Sequence, residues 1–407
     1  MKLLIHSQYF PPEVGAPQNR LYELGVRLVK KGVEVEVLTA MPNYPQMEIM
    51  PGYENKSYLK EEMGGLTVHR SSIYVSKSKA ITSRLRNYFS FVWSSYKIGR
   101  KHLKGDFDFV LCESPPLFLG ISSYFLSKRL KAKFIFNVSD LWPESAESLG
   151  LVTNPLMLKP AYKLEAWLYK KAHLITGQTQ GIVKDIQRRF PNKTVKWLPN
   201  GVDLTYFDRR QISKIDIAIP EHKFYCFYAG IHGHAQGLEV ILNAAEILKE
   251  KDIAFVFLGA GPLKDELKAT AKEKGLNKVY FLDPVGKDKM PGILMNASCA
   301  LVPLKRLPIF QGAIPSKIFE NAAMEIPLVL GVEGEAKELF IDRGNCGVFY
   351  TPESAVDMAQ SIEKLYQDEQ FRMESGKNGR KFVAENFDRD KIAEELITWL
   401  LNLKDKA

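Results

Sequence analysis

Short apolar runs, each followed by a stretch of helical spacing, recur along the whole chain, and this alternation narrows the possible folds more than any other feature. Lys2 to Ser7, Val33 to Thr39, Leu66 to Tyr74, Phe107 to Cys112, Lys133 to Val138 and His173 to Gly177 have strand length. Most are apolar on both faces, as strands covered on both sides of a parallel sheet are. Helical patterns separate them over 18–31, 117–130, 156–171 and 180–190; in the first, Leu21, Leu24 and Leu28 share a face and Gly32 closes it. A second series starts at Phe224, with strands over 224–229, 253–258, 279–282, 299–303, 328–330 and 348–350 and helices over 237–249, 263–274, 291–296, 316–325 and 354–366. Strands that alternate with helices form parallel sheets with crossover helices. The series break near 200–220, after the turn Asn200-Gly201, and 407 residues suit two cores better than one. A last helical pattern, 388–404, carries Ile392, Leu396 and Leu400 on one stripe and has no strand after it.

Composition excludes several classes. Hydrophobic content of 45% and charged content of 25% are those of a globular protein. No apolar run approaches the roughly 18 residues that span a bilayer, and the apolar part of Met1–Ser7 is too short for a secretory signal. Cys112, Cys226, Cys299 and Cys346 are widely spaced without a CxxC pair and read as buried thiols of a cytosolic protein. The formal net charge of +9 calls for an anionic partner. No nucleic-acid-binding motif accompanies it.

One stretch offers an anion site. Ile314-Pro315-Ser316-Lys317-Ile318-Phe319-Glu320-Asn321 reads as a loop entering a helix, with Ser316 as N-cap and Ile326-Pro327 as the stop. A helix start presents unpaired amides and partial positive charge, and Lys317 adds a full charge suited to phosphate oxygens. Glu320 lies one turn on along the same face, where a carboxylate can accept bonds from the hydroxyls of a ribose. The alternative is a capped helix with a surface ion pair.

Two further stretches stand out. From Met63 to Gly105 there is no Asp or Glu, while Lys77, Lys79, Arg84, Arg86, Lys97, Arg100, Lys101 and Lys104 alternate with Tyr88, Phe89, Phe91, Trp93 and Tyr96. The segment 77–104 fits either an anionic membrane surface or a helix packed on the sheet with a solvated basic face. Asp140 and Glu144 follow directly on the strand 133–138, where open α/β sheets place their chemistry; capping of a helix start is the other reading.

Several motifs together resemble a known family. Pro199-Asn200-Gly201-Val202-Asp203 with Phe207, Phe257-Leu258-Gly259-Ala260-Gly261-Pro262 and the helix bearing Glu320 resemble signatures of the GT4 glycosyltransferases of GT-B form. Tyr9-Phe10-Pro11-Pro12-Glu13, Pro42-Asn43-Tyr44-Pro45, Ser114-Pro115-Pro116, Asp140-Leu141-Trp142-Pro143-Glu144 and Leu164-Glu165 with Tyr169 resemble its WbuB-like branch, which contains aminosugar transferases of bacterial surface-polysaccharide assembly. The resemblance implies two Rossmann-like parallel-sheet domains facing across a cleft, 1–205 on the acceptor side and 206–387 binding the sugar nucleotide, with helix 388–407 crossing back to the first. It implies a metal-independent, retaining transfer from a UDP-sugar, without a cofactor, to a polyprenyl-diphosphate-linked saccharide. The enzyme would be a monomer or weak dimer in the cytoplasm, peripheral to the inner face of the plasma membrane.

By that resemblance Lys317, Glu320 and Asp140 carry the chemistry. Gly15, Gly259, Val285, Ser316, Lys317, Ile318 and Glu320 hold the nucleotide sugar, and His232, which the resemblance does not supply, is a candidate beside the phosphates. Two departures are evident: the first glutamate of the family's paired motif falls at Gly312, and the loop after the second domain's first strand offers His232 and His234 instead of an Arg and a Lys. Lys305 and Arg306 are further candidates near the phosphates. A sugar-nucleotide epimerase of the same form, or a non-catalytic sugar-nucleotide-binding protein, are the alternatives.

Overall fold

The computed structural model describes residues 1–78, 80–148, 152 and 154–405. Lys79 of the basic segment lies outside them. The chain divides into two compact units, Met1–Asn200 with Arg389–Ala407, and Gly201–Asp388.

The first unit is built on eight strands: β1 (Lys2–His6), β2 (Glu34–Ala40), β3 (Tyr58–Met63), β4 (Leu66–Ser71), β5 (Phe109–Ser114), β6 (Lys133–Val138), β7 (Leu174–Gly177) and β8 (Val195–Trp197). Their order is β3-β4-β2-β1-β5-β6-β7-β8. All pairs are parallel except β3 with β4, a hairpin that turns through Gly64 and Gly65, both at positive φ. β1 to β6 match the expected strands within a few residues at each end, apart from β3. The sequence reading missed β3 because Tyr-Leu-Lys-Glu-Glu-Met is a polar edge strand, nowhere fully buried and exposed at Lys60 and Glu62. It missed β8 because only three residues pair. One face of the sheet is covered by helix Ala16–Lys30 through Leu21, Leu24 and Leu28. The helix Arg389–Asp405 joins the same cluster through Ile392, Ala393, Leu396 and Leu400. The C-terminal helix therefore completes the first core.

The second unit has six parallel strands, β9 (Phe224–Ala229), β10 (Ile253–Leu258), β11 (Val279–Leu282), β12 (Cys299–Pro303), β13 (Leu328–Gly331) and β14 (Gly347–Phe349), in the order β11-β10-β9-β12-β13-β14. The alternation in the sequence located all six. It did not locate the helix Glu369–Asn386, whose interior holds Gly376 and Gly379. Glycine is a poor helix former, but here it permits contact: a Cβ at Gly376 would lie 2.2 Å from the Glu325 carbonyl, and one at Gly379 would lie 3.4 Å from Ala322. The long helix thus backs the helix Ser316–Ala323. Arg380 extends the support by donating to the carbonyls of Leu204, Phe207 and Ala323. Phe207 is buried, Val202 bridges Asp388, and the Val202 amide donates to Phe387. The Pro199–Asp203 motif is thus where the chain enters the second unit, beside where it leaves.

Candidate functional site

The topology of the second sheet prepares a site. β9 has β10 on one side and β12 on the other, so the loops that leave β9, β10 and β12 diverge around it at the carboxyl edge. Open α/β sheets bind ligands at such a switch point. The loop after β9 begins at Gly230 and contains His232; the loop after β10 contains Gly259 and Gly261. Their backbones lie almost in contact, since a Cβ on Gly259 would come 2.1 Å from the Gly230 carbonyl and one on Gly261 2.4 Å from that of His232. Gly259 and Gly261 have φ of +143° and +157°, which only glycine adopts without strain. The His232 amide donates to Ala260 and the Leu263 amide to His232, locking the two loops together.

Lys317 reaches these loops from the helix after β12. Its ammonium sits 3.8 Å from the centroid of the Tyr228 ring, and a Cβ on Gly230 would lie 2.8 Å from Nζ. Desolvation pushes its pKa down to about 7 against the opposing pull of Glu320. Tyr228 is held by its hydroxyl, which donates to the Ile231 carbonyl at 2.6 Å. His232 is buried among Tyr228, Phe257 and Phe281, with no hydrogen-bond partner on either ring nitrogen. Burial, then Lys264 and Lys317, hold its pKa down at about 4, so the ring is neutral. A loop with Lys317 poised, His232 unsatisfied and two glycines removed from the way is equipped for an anion that brings its own acceptors.

The other expected residues of this unit fall as follows. Ser316 opens the helix but does not cap it: Pro315 occupies the N-cap place and there is no side-chain cap bond. The proline fixes the extended entry instead, and Ser316 and Lys317 have no intrahelical acceptor for their amides. Ile318 has a side chain in the core and an amide turned to the Pro315 carbonyl. Glu320 is half-buried one turn along from Lys317. Val285 lies past β11, half-buried against the cluster of Val256, Leu258 and Ile293. Gly312 ends the 3-10 turn Pro308–Gly312, and no carboxylate stands at that position. His234 opens a short turn after the β9 loop. Arg306 pairs with Glu333. The Lys305 amide donates to the Ala235 carbonyl.

In the first unit the motif residues gather at the carboxyl edge of β2, β1, β5 and β6, which are neighbours. Glu13 links two of the loops, accepting the amides of Phe10, Asn43 and Tyr44 at 3.2, 2.8 and 2.9 Å. Buried Arg70 on β4 anchors the same loops by donating to the carbonyls of Ala40 and Pro11 and to Glu61. Gly15 stands at the start of helix Ala16–Lys30 in extended backbone, with the Gln18 side chain folded over it. Asp140 is exposed and accepts the Ser145 hydroxyl at 2.8 Å, so it both faces solvent and steadies the short helix Glu144–Ser148. Glu144 is exposed as well. Glu165 is structural: buried, it receives the Arg189 guanidinium in a two-pronged pair.

The sequence reading missed one network here. Arg20 donates to Glu113 at 2.6 Å and to Ser139 at 2.7 Å, Asn137 donates to Glu113 at 2.5 Å, and Thr176 donates to Asn137 at 2.6 Å. It fixes Ser139, next to Asp140, to the first helix. Among the described residues, no group of three or more His, Cys, Asp or Glu side chains is placed to hold a metal ion, and no helix is long and apolar enough to cross a membrane.

Known proteins are similar to this chain in sequence and share its fold. A family model for Glycosyltransferase Family 4 matches residues 18–206, and one for glycosyl transferases group 1 matches residues 209–382. The chain is 26% identical over 375 residues to a protein of Escherichia coli K12 named as a colanic acid biosynthesis glycosyl transferase, WcaI, with 89% of this chain and 92% of that one covered. It is 29% identical over 237 residues to the N-acetylgalactosamine-N,N'-diacetylbacillosaminyl-diphospho-undecaprenol 4-alpha-N-acetylgalactosaminyltransferase of Campylobacter jejuni, covering 58% of this chain and 61% of the relative. Among solved structures, Alr3699/HepE of Anabaena in complex with UDP-glucose superposes with a TM-score of 0.69 at 14% identity, covering 99% of this chain and all of that one. The fold is therefore GT-B.

Proposed function

We propose, from the premise that this chain belongs to the GT4-like glycosyltransferases of GT-B fold, that it moves an N-acetyl amino sugar from a UDP-sugar to a lipid-linked saccharide in surface-polysaccharide assembly. The single observation that carries the donor half is the Lys317 ammonium over Tyr228 and Gly230, at the switch point of the second sheet. In transfer the anomeric carbon–oxygen bond to the diphosphate breaks and one to the acceptor oxygen forms on the same face, the acceptor's hydroxyl proton passing to the departing diphosphate oxygen, so configuration is retained. The sugar is oxocarbenium-like between the two, and negative charge grows on the departing diphosphate. Lys317 and the amides of its first helical turn are the groups that meet that charge, without a metal ion. Glu320 takes the ribose hydroxyls, His232 and the Gly259 loop enclose the phosphates, and the main chain at Val285 lies toward the base. In the first unit, Gly15 and Asp140 are the candidates for contact with substrate.

The acceptor half is supported by the names of relatives, which give a diphospho-undecaprenol-linked substrate for the Campylobacter protein and colanic acid biosynthesis as the process for that of Escherichia coli. The loop motifs at β1, β2, β5 and β6 support the WbuB-like branch. A lipid-linked substrate places the enzyme at the inner face of the plasma membrane as a peripheral protein. The test is release of UDP from UDP-N-acetylhexosamines in excess chelator, with membrane extract as acceptor source. Turnover by the wild type and a fall of at least about 100-fold in Lys317→Ala are expected. Equal rates for the two proteins would remove Lys317 from the mechanism.

A further inference from the structure

The first unit carries a two-helix face that the transfer chemistry leaves unused. Helix Ile81–His102 buries Asn87, Phe91, Ser95 and Gly99, one residue per turn. At Gly99 it approaches helix Leu119–Arg129 so closely that a Cβ would lie 2.8 Å from Leu126. That buried stripe dictates the opposite one, where Arg86, Phe89, Trp93, Lys97 and Arg100 are all exposed. Phe89 and Trp93 are 46% and 63% exposed, and Phe125 of the neighbouring helix is 49% exposed beside Tyr96. Lys97 stands 5.2 Å over the Trp93 ring. No carboxylate is interspersed, since Asp and Glu are absent from Gly64 to Gly105 and from Ser114 to Ser139. Among the described residues of 77–104, only Lys77 has a carboxylate partner, Glu48.

The aromatic surface does not stop at the helix. Phe89 contacts Phe118 at 4.8 Å between centroids, and Phe118 contacts Trp142 at 5.3 Å. Trp142 is two residues from Asp140, in the loop after β6. A nucleic-acid duplex would satisfy the cations, but its stacked bases offer nothing to exposed phenyl and indole rings that continue to that loop. A bilayer satisfies both, with phosphate headgroups for the cations and the acyl boundary for the rings.

We propose that this face beds on an anionic bilayer, with Phe89, Trp93 and Phe125 entering the acyl boundary and Arg86, Lys97 and Arg100 holding headgroup phosphates. The seam through Phe118 and Trp142 then leads from the boundary to Asp140. The use of that seam rests on the lipid-linked acceptor proposed above, whereas the bilayer contact stands on the face alone.

Co-sedimentation with phosphatidylcholine vesicles, with and without phosphatidylglycerol, tests it on three proteins. These are the wild type, Phe89→Ser/Trp93→Ser/Phe125→Ser, and Arg86→Gln/Lys97→Gln/Arg100→Gln. The wild type should pellet with phosphatidylglycerol vesicles and be released as salt rises. Each variant should partition at least about tenfold less, with UDP affinity and circular dichroism unchanged. Equal pelleting of all three, or a wild type left in the supernatant, overturns the proposal. So does preferential retention by duplex DNA that the aromatic substitutions leave intact. A wild type that fails to bind UDP would instead refute the donor reading and leave the vesicle result standing.

Discussion

Lys317 is the residue on which most of the proposed chemistry turns, and its environment fixes a pH dependence. With a pKa near 7 in the free chain, it is largely neutral at pH 8. A bound diphosphate favours the ammonium and raises that pKa, so binding takes up a proton. A nucleotide sugar has no diphosphate proton to lose in this range. Its affinity should therefore weaken by up to about tenfold per pH unit above pH 7, until the bound-state pKa is passed. Calorimetric titrations from pH 6.5 to 9 check this, and Lys317→Met should flatten the profile. A wild-type affinity constant with pH would contradict it. Gly259 makes a different demand: Gly259→Ala places a methyl 2.1 Å from the Gly230 carbonyl at φ +143°. Destabilisation of about 2 kcal/mol is expected in denaturant titration, together with weaker donor binding. Lys317 and Glu320 were legible because their cue is local, a cation and a carboxylate one turn apart behind a proline. Arg70, Glu13 and the Arg20–Glu113 network were not, because their partners lie tens of residues away and only the parallel strand order brings them together.

At the scale of elements, period and length located the strands of the second sheet almost to the residue, since β10, β12 and β13 are buried throughout and leave uninterrupted apolar runs. The elements that escaped carry weak periodicity for a physical reason. β3 is a half-buried edge, and the helix Glu369–Asn386 spends two of its packing positions on glycine to lie close to the site helix. That closeness predicts the effect of filling it. Gly376→Val would drive a side chain into the Glu325 carbonyl, and overpacking of this kind costs about 1–3 kcal/mol. Chemical denaturation should show that loss, and donor affinity should fall with it because the helix bearing Lys317 must shift. An unchanged denaturation midpoint would mean that the two helices are not packed as described. The basic segment 77–104 was legible as charge and aromatics, but which rings face outward required the buried stripe Asn87, Phe91, Ser95 and Gly99.

For the whole molecule, the alternation of strands and helices and the break after Asn200 made two successive parallel α/β units legible, and the resemblance of the motifs supplied the GT-B form and the place of the last helix. Which sugar is moved was not legible, since selectivity is set by cleft shape that no single residue type records. On the proposed reading, Lys317, the first helical turn and the neutral His232 are the groups that meet the diphosphate. The most direct measurement is a calorimetric titration of UDP, in excess EDTA, into the wild type and into Lys317→Ala. The wild type should bind, and the variant should remain folded and bind at least about tenfold more weakly, the loss of a charge-assisted contact. Binding that appears only when a divalent ion is restored, or identical affinities for the two proteins, would contradict the account.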